Sequence, residues 1–304
     1  MSVIVQTLMQ EHISNSMATA DAAATGSGIV EIIRVSIAGF IQGITEFFPV
    51  SSSGHLTLLK TLFHWPTISV PVIVALHVGT TIAIIIYFWD DLSRMLKAFI
   101  KMPLDWTQSD VRWVWLIIIV SIPTFIIAGF VSLYEDTLFN SSFLVAGMLL
   151  FTSLILFLSD TVEKTNKFIV DIPLGLLVLV GIAQGFAVLP GLSRSGVTIA
   201  VLLFIGARRD ESAKFAFFMA IPVILAGGLY EFVMPFLSGS ETMKIASADI
   251  LGVVIGTAIA AISGVFAIRL LLPLIKKAKL VYFSLYTCII AVIVFFVEIF
   301  SAGS

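Results

Sequence analysis

Long apolar runs alternate with short polar ones along this chain, and six of them are long enough to cross a bilayer as helices: 72–89, 114–133, 143–159, 214–237, 250–272 and 280–299. A spanning helix needs about 20 mostly apolar residues, somewhat fewer where interfacial side chains help. Stretches 250–268 and 280–297 carry no charged residue at all. Pro123 and Pro222 fall inside spans and read as packing kinks, because neighbouring helices can satisfy the carbonyls they free. Two further runs break the pattern. Residues 35–59 and 172–207 are apolar at both ends, but each has a Pro and a Ser/Gly cluster at its middle. Such a cluster ends a helix, and open backbone at membrane depth is tolerated only inside protein or beside water. Both runs therefore predict re-entrant helix–loop–helix hairpins.

The two hairpins are copies. A shift of 142 places Gly39, Gln42, Gly43, Ser51, Ser53 and Gly54 on Gly181, Gln184, Gly185, Ser193, Ser195 and Gly196 without a gap. The same shift carries 72–89 onto 214–231 and 143–159 onto 285–301, which predicts duplication over nearly the whole apolar part. Three spans separate the hairpins, so the second enters from the opposite face and the halves are inverted repeats whose broken tips can meet near the midplane. The expected fold is an all-α polytopic membrane protein of six spans and two re-entrant hairpins. Its single membrane domain covers 29–304, with repeats at 29–160 and 171–302.

Charge then orients the chain. On this topology one face collects Arg94, Lys97, Lys101, Arg112, Lys164, Lys167, Arg208, Arg209, Lys214, Arg269, Lys276, Lys277 and Lys279, while the other has Arg34, Lys60 and Lys244. Thirteen against three puts the basic face inside and both termini outside. Residues 1–28 lack both a basic start and an apolar stretch, so they read as an exposed tail rather than a signal peptide.

Composition closes off other classes. Hydrophobic residues make up 59% of the 304 and charged residues 12%, which excludes a soluble enzyme, a disordered chain and a nucleic-acid binder. The single cysteine, Cys288, supports neither a disulfide framework nor a thiolate cluster. His12, His55, His64 and His77 are too scattered for a metal cage.

Against this background the polar residues at depth stand out, because an ionisable group there is expensive. Glu46 and Arg194 sit in the two hairpin centres, and His55 follows Ser51-Ser52-Ser53-Gly54. The alternative for Glu46 and Arg194 is a buried ion pair locking the hairpins together. His77, alone on a span, reads as hydrogen-bonded packing. Gln42 and Glu46, at i and i+4, share a helix face and could offer oxygens to Mg²⁺ or Ca²⁺. One carboxylate is only a partial site, so substrate phosphates would have to complete it. Ser51, Ser52 and Ser53 in one tip, and Ser193, Arg194, Ser195 and Thr198 in the other, read as anion cradles at helix starts.

The segments QGITEFFPVSSSGHL and GIAQGFAVLPGLSRSGVTI resemble the two signatures of the undecaprenyl-diphosphate phosphatase (bacitracin-resistance) family, and the likeness covers residues 30–300. The resemblance implies a plasma-membrane phosphatase that takes a polyprenyl diphosphate to the monophosphate carrier lipid, with membrane lipid and its substrate as partners and no nucleic acid. Carried over, Glu46 (with Gln42) is the acidic and metal-binding motif, His55 the histidine, and Pro190 to Thr198 the phosphate-binding motif. Gln42 stands where many members have a second glutamate. On this reading Glu46, Ser52, His55 and Arg194 are catalytic, and Gln42, Ser51, Ser53, Ser193, Ser195 and Thr198 contact substrate. The nucleophile is Ser52 or a water, with His55 as base or acid, and the site opens outward. A homodimer is compatible with the sequence. A lipid-phosphate flippase or anion transporter on the same inverted-repeat plan is the rival reading. A lipid acid-phosphatase reading of Ser53-Gly54-His55 fails, because no histidine follows His77.

Overall fold

The computed structural model describes residues 28–63, 65, 68–134, 141–162, 167–238, 247–277 and 279–302. Of the expected tail over 1–28, all but Gly28 lies outside these residues. The described residues form α1 (Gly28–Phe47), α2 (Ser52–Leu62), α3 (Val70–Tyr87), α4 (Trp89–Lys101), α5 (Ser109–Ser132), α6 (Ser142–Thr161), a 3₁₀ turn (Ile169–Asp171), α7 (Leu174–Phe186), α8 (Arg194–Phe204), α9 (Arg209–Ser238), α10 (Ser247–Lys276) and α11 (Leu280–Ala302). No strand occurs among them.

All six expected spans are helices, at α3, α5, α6, α9, α10 and α11. Outward-facing Ile126, Ile262 and Leu285 are 67%, 72% and 62% exposed, a surface that only a bilayer covers. The protein is a polytopic membrane protein.

Both hairpins are broken at the expected places, with one difference. The first arm, α1, starts seven residues before 35 and is by itself long and apolar enough to span, which makes seven such helices among the described residues. The expected run began at Val35, the first residue after the charged Glu31 and Arg34. In the fold Glu31 and Arg34 neutralise each other one turn apart at 2.5 Å, so the helix runs through them. Helix α4 is a second addition: Leu92, Met95 and Phe99 recur at i, i+3 and i+7 and Met95 is buried, while Arg94, Lys97 and Lys101 face away. Such a helix suits an interfacial position.

A shift of 142 carries the helix Ser52–Leu62 onto the helix Arg194–Phe204, end for end. It also relates the packing. Lipid supplies no hydrophobic drive between helices, so close backbone approach at small residues does the work. In α1, Gly39 and Gly43 lie against Gly256, Ala260 and Ser263 of α10, where any Cβ would collide with backbone. In α7, their counterparts Gly181 and Gly185 lie in the same way against Val120, Thr124 and Ile127 of α5. Helix α6 packs on α11 through a reciprocal bond: Ser153 Oγ donates to the Ser284 carbonyl at 2.8 Å and Ser284 Oγ to that of Ser153 at 2.7 Å.

Ion pairs gather at one end of the bundle. Lys214 and Arg94 both hold Asp91, at 2.7 and 2.8 Å, and Arg94 also reaches Asp110. Asp160 takes Arg209 at 3.0 Å and the Val281 amide at 2.7 Å. These contacts bring together the starts of α4, α5, α9 and α11 with the end of α6. Burial pushes the Asp91 carboxyl up, but hydrogen bonds from Lys214 and Arg94 outweigh it and hold the group below the usual carboxylate range.

Candidate active site

The two breaks meet. Ser53 Oγ accepts the Gly191 amide at 3.2 Å, and Ser195 Oγ donates to the Phe48 carbonyl at 3.3 Å. Each tip is built alike. Ser51 caps α2 by accepting the Gly54 amide at 3.2 Å, and Ser193 caps α8 by accepting that of Gly196 at 3.1 Å. Ser51 lies 3.2 Å from Ser53 and Ser193 3.3 Å from Ser195, oxygen to oxygen. Helix geometry leaves the first amides of α2 and α8 without an intrahelical acceptor, and both starts present partial positive charge.

The tips also differ. Ser51 has φ 69°, in the left-handed region that a side chain with a Cβ rarely enters. At the second tip that role falls to Gly191, with φ 89°, where a Cβ would strike the Val145 backbone. Thr152 of α6 pins this tip, accepting the Ser193 amide at 3.1 Å and donating to the Gly191 carbonyl at 3.3 Å. Nothing in the sequence singles out Thr152, one of three hydroxyl residues in the apolar run 143–159.

Glu46 is the hub. Its Oε1 accepts from Arg194 Nη2, joining one tip to the other, while Oε2 accepts from Gln42 Nε2 and from Ser52 Oγ, both at 2.8 Å. Its side chain is 6% exposed. The ion pair weighed against a phosphate clamp is thus present. Four expected residues, Gln42, Glu46, Ser52 and Arg194, stand in one cluster.

His55 stands apart from it. Its Nδ1 meets the Ser51 carbonyl at 2.8 Å, which can only accept, so that nitrogen carries the proton and Nε2 accepts from Tyr286 Oη at 2.8 Å. The two rings also stack, with centroids 5.6 Å apart. Both ring nitrogens are engaged, and the group bonded to Ser52 is Glu46. Thr198 spends its hydroxyl on the Arg194 and Ser195 carbonyls of its own helix, at 2.7 and 3.2 Å.

His77 is the residue that sequence reasoning set aside. Its Nδ1 bonds back to Ile73 at 2.9 Å, as packing predicts, yet Nε2 faces Glu46 Oε2 at 3.6 Å. Its place on α3, a helix that carries neither tip, hid this. Tyr286, 231 positions from His55, was equally out of reach.

Towards α9 the cluster is closed. The space beside Glu46, Arg194, Ser195 and Phe217 is about 10 Å³, room for about one water. Beyond it Phe47, Phe217, Phe88, Phe218 and Trp113 pack ring against ring in series, edge to face except for the tilted Phe217–Phe88 contact. They separate the cluster from a polar cavity of about 630 Å³ lined by Asp91, Arg94, Asp110 and Lys214.

A family model described as "Bacitracin resistance protein BacA" matches residues 35–293. The chain belongs to this family. The match takes in both tips and every residue of the Glu46 cluster. The chain is 39% identical over 269 residues to the undecaprenyl-diphosphatase of Halothermothrix orenii, covering 87% of this chain and 97% of the relative. It is 33% identical over 260 residues to that of Geotalea daltonii (84% and 94%) and 34% over 277 residues to that of Methanosphaera stadtmanae (87% and 97%). Each of these relatives is matched over nearly its whole length.

Proposed function

We infer that the protein is an integral membrane phosphatase that hydrolyses undecaprenyl diphosphate to the monophosphate carrier lipid and phosphate. The observation that carries the chemistry is Glu46 joining Ser52 of one tip to Arg194 of the other. Phosphoryl transfer asks little covalent work of a protein and much positioning and electrostatics. The first amides of α8 and the Arg194 fork receive the diphosphate oxygens. Glu46 takes the Ser52 proton as Oγ attacks the terminal phosphorus. The new Oγ–P bond forms as the bridging P–O bond breaks, and the lipid monophosphate leaves with that bond's electrons. Glu46 passes that proton to the departing monophosphate; water then attacks the phosphoserine, giving up a proton to Glu46, and Glu46 returns it to Ser52 Oγ as the Oγ–P bond breaks and inorganic phosphate departs.

A divalent cation fits the donor set. Gln42 Oε1 is buried without a hydrogen-bond partner, beside the Glu46 carboxylate, and both are hard oxygens. Bound there by Glu46 and Gln42, Mg²⁺ or Ca²⁺ would supply charge neutralisation to phosphate oxygens. Arg194, now on Glu46, is then free to turn to the phosphates. The matching ends of helices and the thirteen-to-three basic asymmetry support inverted halves, both termini outside and a site that opens outward.

The test is phosphate release by purified protein in detergent, with and without chelator. A flippase or anion carrier needs a sealed membrane to show activity; a phosphatase does not. Release in detergent that chelator abolishes is the expected result. Absence of release would overturn the enzyme reading, and undiminished release in excess chelator would remove the cation.

A further inference from the structure

We propose that the lateral groove between α1, α10 and α11 binds the first isoprene units of the substrate's polyprenyl chain, with the Tyr286–His55 pair at its head end. The inference rests on the diphosphatase reading. The groove has a volume of about 420 Å³, and Ile44, Thr45, Phe48, Leu274, Phe283 and Tyr286 form its walls. Phe48 and Phe283 meet edge to face at 5.3 Å.

Three contacts make this groove continuous with the phosphate site rather than one more lipid-facing crease. Thr45 directly precedes Glu46 in the same helix. The carbonyl of Phe48, a groove wall, accepts from Ser195. Tyr286 closes the head end and donates to His55, itself four residues from the Ser51 cap. The tip turn is thus a wall common to both. A chain whose diphosphate lies on the amides of α2 and α8 leaves the tip on this side, because towards α9 the cluster is shut by Phe47 and Phe217.

The occupant follows from chemistry. The groove is mostly apolar and aromatic: Thr45 spends its hydroxyl on the Ile41 carbonyl and Tyr286 on His55, and among the described lining residues the one charged group is Lys279 at the far end, 5.6 Å from the Tyr282 ring centroid. A branched polyene has no polar atom to satisfy and packs on such rings. Lys279 and Tyr286 are seven residues apart on the same chain segment, roughly 10 Å along a helix axis, so only the first units of a long chain are held. Binding energy from this non-reacting part positions the diphosphate.

The experiment compares kcat/KM for a C5 prenyl diphosphate with that for the C55 substrate. In the unaltered protein the value rises with chain length and flattens once the groove is filled. Leu274→Trp and, independently, Ile44→Trp should lower the C55-to-C5 ratio by about tenfold, the scale of a blocked apolar pocket. Ile126→Trp, on the lipid-facing side of α5, should leave the ratio unmoved. A diazirine placed in the chain near the diphosphate should label the segment 279–286, and C55 diphosphate should compete where bulk phospholipid does not. An unmoved ratio in both groove variants, or labelling that phospholipid displaces equally, would overturn the proposal. Labelling of 279–286 without phosphate release would instead keep the groove and defeat the enzyme reading.

Discussion

At the scale of single residues, Ser52 gives the sharpest test of mechanism. The cap of α2 is Ser51, so Ser52 has no capping role and its hydroxyl serves Glu46 alone. Ser52→Ala should cost at least about 10³-fold in turnover, as when a nucleophile is removed, and change the melting temperature little. Rapid quenching with substrate labelled on the terminal phosphate should trap phosphoserine in the unaltered protein. A variant that still turns over would assign the attack to water. Arg194 divides two roles. Arg194→Lys keeps a charge near Glu46 but loses the planar fork, so activity should fall about 10²–10³-fold at nearly unchanged stability. Arg194→Ala leaves Glu46 buried without its cation and should also destabilise by about 3–5 kcal/mol. Thermal melts and phosphate release measured on both variants separate clamp from strut; an active Arg194→Lys protein would defeat the clamp. Much of this cluster was legible, because Glu46, Gln42 and Arg194 are anomalies in apolar surroundings. His77 was not, since a histidine bonded to the carbonyl one turn back looks the same in sequence whether or not its other nitrogen meets a carboxylate.

At the scale of elements, the paired glycines carry the packing. Gly181→Leu would drive a side chain into the Val120 carbonyl and the Pro123 ring and should destabilise by about 3 kcal/mol or unfold the protein, since backbone cannot yield as a side-chain end can. Gly129, on the same α5 but with nothing near its missing Cβ, should accept alanine with little change. Thermal unfolding in detergent checks both; equal tolerance would mean that α5 and α7 are less closely packed than described. The helices themselves were legible from apolar length. Their starts were less so: α1 begins seven residues before the apolar run at 35, through Glu31 and Arg34, and α4, charged on one side, had no apolar run to announce it. In both cases charges that read as loop are carried by a helix, neutralised in the first and solvated in the second.

At the scale of the whole molecule, orientation is the property to measure. In a protein whose Cys288 is replaced by serine, Leu133→Cys should react with an impermeant thiol reagent from outside intact cells and Lys277→Cys only after the membrane is opened. The reverse pattern would overturn the charge assignment while leaving the helices in place. The offset of 142 was readable because the same glycines and serines recur at it; what it could not convey is how unlike the matched positions are where the tips touch. The position equivalent to Arg194 is Ser52, and the position equivalent to Glu46 is Val188. Two copies of the first half would set each Glu46 against a serine, and two copies of the second would set each Arg194 against a valine, a lone buried charge in either case. The ion pair therefore acts as an address: it tells each half which partner is correct. A chain cut between Thr161 and Lys167 and expressed as two pieces should reassemble into active protein only when both pieces are made together, and neither piece alone should form a stable pair with itself.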